Sequence, residues 1–148
     1  MNNYLLKWTC NNKTAYKTGI SKDHSRLLEN RFGKSSKFYH PGYSLFKIEE
    51  LANVYCSSES YSLARAAALG MEHAFKAVFP KDFQLEQHFN LEPNVLNGMG
   101  GITEFFLLPS YMDEATMIEI FNRANELVWQ LNNKLKSYQG TVSTEMSI

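Results

Sequence analysis

Eight cations, Lys7, Lys13, Lys17, Lys22, Arg26, Arg31, Lys34 and Lys37, crowd the first 40 residues and face only Asp23 and Glu29 there. Such an excess suits a polyanion, above all a nucleic-acid backbone. The competing reading is internal attraction, since residues 1–81 hold 12 basic and 6 acidic side chains while residues 82–148 hold 3 and 9. Other chemistries find less support. His24, His40, His73 and His88 share no metal-ligand spacing, although His24 near Arg26 and His73 beside Glu72 could move protons. Cys10 and Cys56 form neither a CxxC pair nor a disulfide ladder, and no thiol nucleophile with its base is legible, so both are read as free thiols.

The elements that must position these residues are those of one α+β domain. With 148 residues and 44% apolar content, the chain can bury a core. No apolar run reaches the roughly 18 residues of a membrane span. The opening Met1–Tyr4 is not that of a secretory signal, so the expected compartment is the cytoplasm. Tyr4–Cys10 and Thr14–Ile20 are rich in β-formers, and Asn11-Asn12 between them tolerates a tight turn, so the chain opens with a hairpin. A short helix then runs to Phe32, with Leu27, Leu28, Arg31 and Phe32 at helical spacing, and Gly33 ends it. Tyr43–Cys56 reads as a strand, a turn at Glu49-Glu50 and a second strand. Leu63, Ala67, Met71, Ala74 and Val78 predict an amphipathic helix over 59–79, with Arg65, Glu72 and Lys76 on its other face. Residues 80–101 read as a surface loop or flap, and Thr103–Leu108 as a short buried strand. Met117, Phe121, Ala124, Val128, Leu131, Leu135 and Tyr138 place a long helix over 111–138. The expected organisation is therefore a small antiparallel or mixed sheet flanked by helices over 1–109, a long amphipathic helix over 110–139 and a flexible tail over 140–148.

In this order the elements and their terminal residues resemble the GIY-YIG nuclease superfamily, in particular the phage-type branch whose second motif reads like Tyr-Lys-Ile-Gly. Asn3-Tyr4-Leu5 stands where the family has its first motif, and Tyr16-Lys17-Thr18-Gly19-Ile20-Ser21 looks like the second. Arg26 follows that glycine by seven residues, Glu72 lies on the next long helix, and Thr103-Glu104-Phe105-Phe106 is similar to the closing Glu-Trp-Phe strand of that branch. The resemblance implies a metal-dependent endonuclease acting on DNA or RNA. Tyr4 and Tyr16 would take the tyrosine roles of the family, general base or its assistant, Arg26 the phosphate contact and Glu72 a Mg²⁺ or Mn²⁺ ion. Lys17, Gly19, Lys22 and His24 would line the substrate. A phenol titrates near ~10 unless a cation stabilises the phenolate, and Lys17, Lys22 or the metal could supply that charge.

Plainer roles stand beside these. Tyr4 and Tyr16 are ordinary strand residues, Arg26 can pair with Glu29 at i,i+3, and Glu72 can pair with Lys76 at i,i+4. The first motif has no glycine and Thr18 replaces an apolar residue. A protein that keeps the fold without turnover, binding nucleic acid or a host or defence protein as a phage-type factor, is therefore the alternative function. The long-helix seam covers the sheet, or pairs residues 111–138 with a second copy or a host protein.

Overall fold

A computed structural model describes residues 1–22, 27–55, 61–79 and 83–146. Strands β1 (Asn2–Cys10) and β2 (Lys13–Ser21) pair antiparallel across Asn11 and Asn12, whose φ angles of 52° and 61° are those of a hairpin turn with both central residues left-handed. Asparagine adopts that conformation more readily than other residues with a Cβ, so the dipeptide sets the register of the whole hairpin. Strand β3 (Lys47–Tyr55) pairs antiparallel with β1, and the short β4 (Phe105–Phe106) pairs with β2, giving the sheet order β3-β1-β2-β4. The α+β class and the antiparallel sheet thus agree with expectation.

Both faces of the sheet are covered, which explains why β1 is buried along most of its length, Asn2 and Asn3 included. On one face Tyr4, Leu6, Trp8, Ala15 and Phe105 meet Leu27 and Phe32 of helix α1 (Leu27–Phe32), Tyr43 of a 3₁₀ turn (Pro41–Leu45), Leu85 of helix α3 (Leu85–His88) and Phe89, Leu96 and Met99. Trp8 anchors this cluster through edge-to-face contacts with Phe32, Tyr43, Phe46 and Phe105. On the other face Leu5, Tyr16 and Phe106 meet Met71 and Phe75 of helix α2 (Tyr61–Lys76) and Met117 and Phe121 of helix α4 (Glu114–Met146). Each such large apolar side chain contributes about 1.5–3 kcal/mol by leaving water.

Four expectations need correction. Glu49-Glu50 does not break Tyr43–Cys56 into two strands: β3 is continuous, and a bulge opposite Leu5 and Leu6 lets both acids sit on an edge strand. Residues 83–99 are no surface flap, since Leu85, Phe89, Leu96 and Met99 roof the Trp8 face. The buried face of α2 is Ala64, Ala67, Ala68, Met71, Glu72 and Phe75, while Val78 is exposed, so the packing stripe is rotated and takes Glu72 inside. Helical backbone continues to Met146, through residues expected to form a tail.

Candidate active site

The hairpin register decides which side chains meet. Tyr4 pairs with Gly19 and Leu6 with Lys17, so Tyr4, Lys17 and Gly19 share the Trp8 face. Tyr16 pairs with Lys7, an odd number of residues from Tyr4, and therefore points to the opposite face. The two tyrosines do not converge.

Tyr4 is buried with its ring laid across Gly19, where any Cβ would collide with the phenol. Burial pushes its pKa up to about 12; the Arg31 guanidinium, which also hydrogen-bonds the phenol, works against that rise, while Glu104 and Glu72 add to it. Lys17 is only 2% exposed, its Nζ 3.3 Å from Glu104 Oε2 and 5.7 Å from the centre of the Phe105 ring. Burial lowers its pKa, Glu104 supports its charge, and Arg31 and Lys76 oppose it. Glu72 is buried on α2, with Oε1 2.5 Å from Lys76 Nζ. Gly101 closes the Lys17–Glu104 pair for two reasons: its φ of 72° is left-handed, and a Cβ there would strike Lys17 Nζ.

Tyr4, Lys17, Arg31 and Glu104 thus form one polar group on the Trp8 face, and the Glu72–Lys76 pair of α2, whose Met71 and Phe75 pack on the opposite face, acts on it through charge. Three cations against two carboxylates leave one positive charge, which a phosphate group would balance. Beside it lies a cleft of about 520 Å³ lined by Phe83, Gln84, Ile102, Thr103 and Phe105, and it shares Phe105 with Lys17.

Of the residues expected at the site, Tyr4, Lys17 and Gly19 come together, while Glu72 pairs with Lys76 on α2 and reaches Tyr4 only through its charge. Tyr16 does not join them: its hydroxyl donates to Glu114 Oε2 at 2.8 Å, the oxygen that Lys7 Nζ also reaches at 2.8 Å. Burial and the Glu114 carboxylate raise the Tyr16 pKa well above the usual phenol range, which suits a structural donor and not a base. Lys22 is exposed, its Nζ 5.0 Å from the Tyr61 ring centre. Arg26 and His24 lie outside the described residues.

Arg31, Lys76 and Glu104 were not expected as site residues. For Arg31 the signal was present: it shares the helical stripe of Leu27 and Phe32, and a guanidinium among core residues needs an anionic or aromatic partner. It also lies 4.8 Å from the Phe38 ring centre.

Among the described residues no three His, Cys, Asp or Glu side chains converge as a metal cage. The ion that the resemblance implies would be held by Glu72. That donor set fits Mg²⁺, which keeps several waters and shares substrate phosphate oxygens, provided Lys76 yields its place on Glu72. Comparison with known proteins finds no matching family, no matching curated protein and no matching solved structure.

Proposed function

We propose that the Trp8 face carries a phosphodiester site, and that the protein is a small GIY-YIG-like endonuclease acting on nucleic acid. The observation that supports this reading best is the Tyr4 phenol laid across Gly19 and hydrogen-bonded by Arg31, on the same face as the buried Lys17 and within electrostatic reach of Glu72. Lys17 and Arg31 hold the scissile phosphate, and Arg26, expected in that role, lies outside the described residues. Tyr4, neutral at physiological pH, orients the attacking water through its hydroxyl. A Mg²⁺ or Mn²⁺ ion at Glu72 supplies Lewis-acid stabilisation of the developing charge and lowers the barrier to removing a proton from water.

The test is nicking of supercoiled plasmid and cleavage of single-stranded DNA and RNA with Mg²⁺ or Mn²⁺, comparing wild type with Glu72→Gln, Lys17→Met and Tyr16→Phe. Loss of cleavage in the first two with retention in Tyr16→Phe supports the reading. Folded wild type that cuts nothing refutes catalysis on these substrates.

One observation favours the second reading, a nucleic-acid-binding protein without turnover: Lys76 sits on Glu72, the carboxylate that this proposal assigns to the ion. Binding whose affinity falls with salt at about −0.9 log units per phosphate contact, with no cleavage under any divalent ion, is its signature.

A further inference from the structure

Between Arg31 and Phe46 the chain carries three cations, Arg31, Lys34 and Lys37, and no carboxylate. Its backbone is held there by turns. The Ser36 N–H donates to the Gly33 carbonyl at 2.9 Å and the Tyr39 N–H to the Ser36 carbonyl at 3.1 Å, while the Phe38 N–H donates to Ser36 Oγ at 3.2 Å. These bonds fix where consecutive side chains point. Tyr39 packs edge-on against Tyr43 in the Trp8 cluster, and Phe38 turns out: it joins neither core cluster and is 54% exposed.

An exposed phenylalanine alone is ordinary. This one is set among cations and beside the site. The Arg31 guanidinium lies 4.8 Å from the centre of its ring and Lys37 Nζ 5.1 Å. The same guanidinium hydrogen-bonds the Tyr4 phenol, so Phe38 stands next to the Tyr4 hydroxyl with that planar group between them. Lys34 and Lys37 are exposed, and among the described residues neither pairs with a carboxylate. An outward aromatic ring flanked by cations suits single-stranded nucleic acid, whose backbone follows the charges while a base stacks on the ring. A duplex offers no such base, because its base faces are covered by their neighbours. Lys37, on a flexible stem, exchanges the ring for a phosphate when a base arrives.

We propose that Phe38 is a stacking platform for a base of single-stranded nucleic acid, whose backbone runs over Lys34 and Lys37 and brings a phosphate to Arg31 and Lys17. The proposal rests on the reading of the Tyr4 group as a phosphodiester site, and it names the strandedness of the substrate.

Fluorescence anisotropy of the full chain tests it, with a labelled oligothymidylate and a duplex hairpin of equal phosphate count, in chelator so that binding is read without cleavage. Phe38 lies outside both core clusters, so its variants keep the fold. Phe38→Ala is expected to weaken oligothymidylate binding roughly tenfold and hairpin binding less than about twofold, and Phe38→Trp to hold oligothymidylate at least as tightly as wild type. The slope of log affinity against log salt should stay unchanged in Phe38→Ala, which removes no charge, and should lessen by about 0.7 in Lys37→Ala. Oligothymidylate bound equally by Phe38→Ala and wild type, or a loss as large on the hairpin, overturns the platform. So does polyglutamate that displaces the oligothymidylate as well as unlabelled oligothymidylate does at equal charge, since such a surface reads charge alone. Wild type that shows the expected binding and cuts nothing with Mg²⁺ or Mn²⁺ supports the platform while refuting turnover. Wild type that binds neither nucleic acid at low salt overturns both.

Discussion

Lys17 and Glu104 form an ion pair whose two halves do not cost the same to remove. Lys17 is 2% exposed, whereas the Glu104 side chain is 40% exposed. Lys17→Met takes away a buried ammonium and leaves a carboxylate that water can reach, so the lost attraction is offset by the lost desolvation cost. The expected change in stability is within about 1 kcal/mol of wild type. Glu104→Gln leaves the ammonium buried beside Arg31 and Lys76 without its counter-charge. The expected loss is about 3 kcal/mol, or roughly 6–12 °C in Tm for a chain this long. The pH dependence separates the mechanism from simple loss of packing. A lysine whose folded pKa is lowered costs stability below that folded value, and the cost is relieved as pH rises towards its unfolded value of 10.5. Without Glu104 the folded value falls further, so the deficit of Glu104→Gln shrinks between neutral pH and about pH 10. Urea unfolding at several pH values measures both effects. Equal losses in the two variants, or a Glu104→Gln deficit that is flat with pH, refute the reasoning.

Gly19→Ala is expected to cost about 1–3 kcal/mol by driving a Cβ into the Tyr4 phenol, and to abolish nicking along with it; unfolding and plasmid assays on one preparation check both. Tyr4 and Tyr16 have folded pKa values above the unfolded phenol's 10, so each stabilises below about pH 10 and loses that contribution as pH rises through its folded value. Stability should therefore fall above pH 10, and Tyr16→Phe should lower stability at neutral pH by about 1 kcal/mol while flattening the alkaline decline, measured by denaturant unfolding. Asn125→Ala should cost about 1–3 kcal/mol, because the buried Asn125 accepts from Asn3 at 2.8 Å and donates to the Phe121 carbonyl at 2.7 Å; thermal melting gives the value.

Local patterns carried the elements well and the faces poorly. The hairpin, the helices around residues 61–76 and 114–138 and the closing strand at Phe105 were legible because β-propensity, helical period and asparagine turn chemistry agree with burial there. Residues 83–99 were not, because their apolar side chains fall at no regular spacing: Leu85, Phe89, Leu96 and Met99 are brought onto the Trp8 face by turns, and only tertiary packing reveals them. The rotation of α2 has a similar origin. The side that packs inward holds the small Ala64, Ala67 and Ala68, and hydropathy alone ranks that side below the one with Val78. The separation of Tyr4 from Tyr16, by contrast, was already fixed in the sequence. A two-residue turn at Asn11-Asn12 makes Lys7 the partner of Tyr16, and strand parity then places the tyrosines on opposite faces.

That parity changes the chemistry any hydrolytic mechanism here can use. With Tyr16 committed to Glu114, Tyr4 is the tyrosine at the site, and its phenol is held near 12 by burial and two nearby carboxylates. The neighbouring Arg31 only partly offsets these effects, so the resting protein presents Tyr4 as a hydrogen-bond donor. For Tyr4 to accept a proton, positive charge must arrive with the substrate, which the proposed mechanism assigns to an ion displacing Lys76 from Glu72. A catalytic protein of this geometry should therefore show cleavage that rises with pH and shifts to lower pH with a more acidic divalent ion, Mn²⁺ against Mg²⁺. The shift should vanish in Tyr4→Phe, whose residual cleavage would be independent of pH in that range. Identical pH profiles for the two ions in wild type would remove Tyr4 from proton transfer and leave it only the role of positioning the phosphate and water.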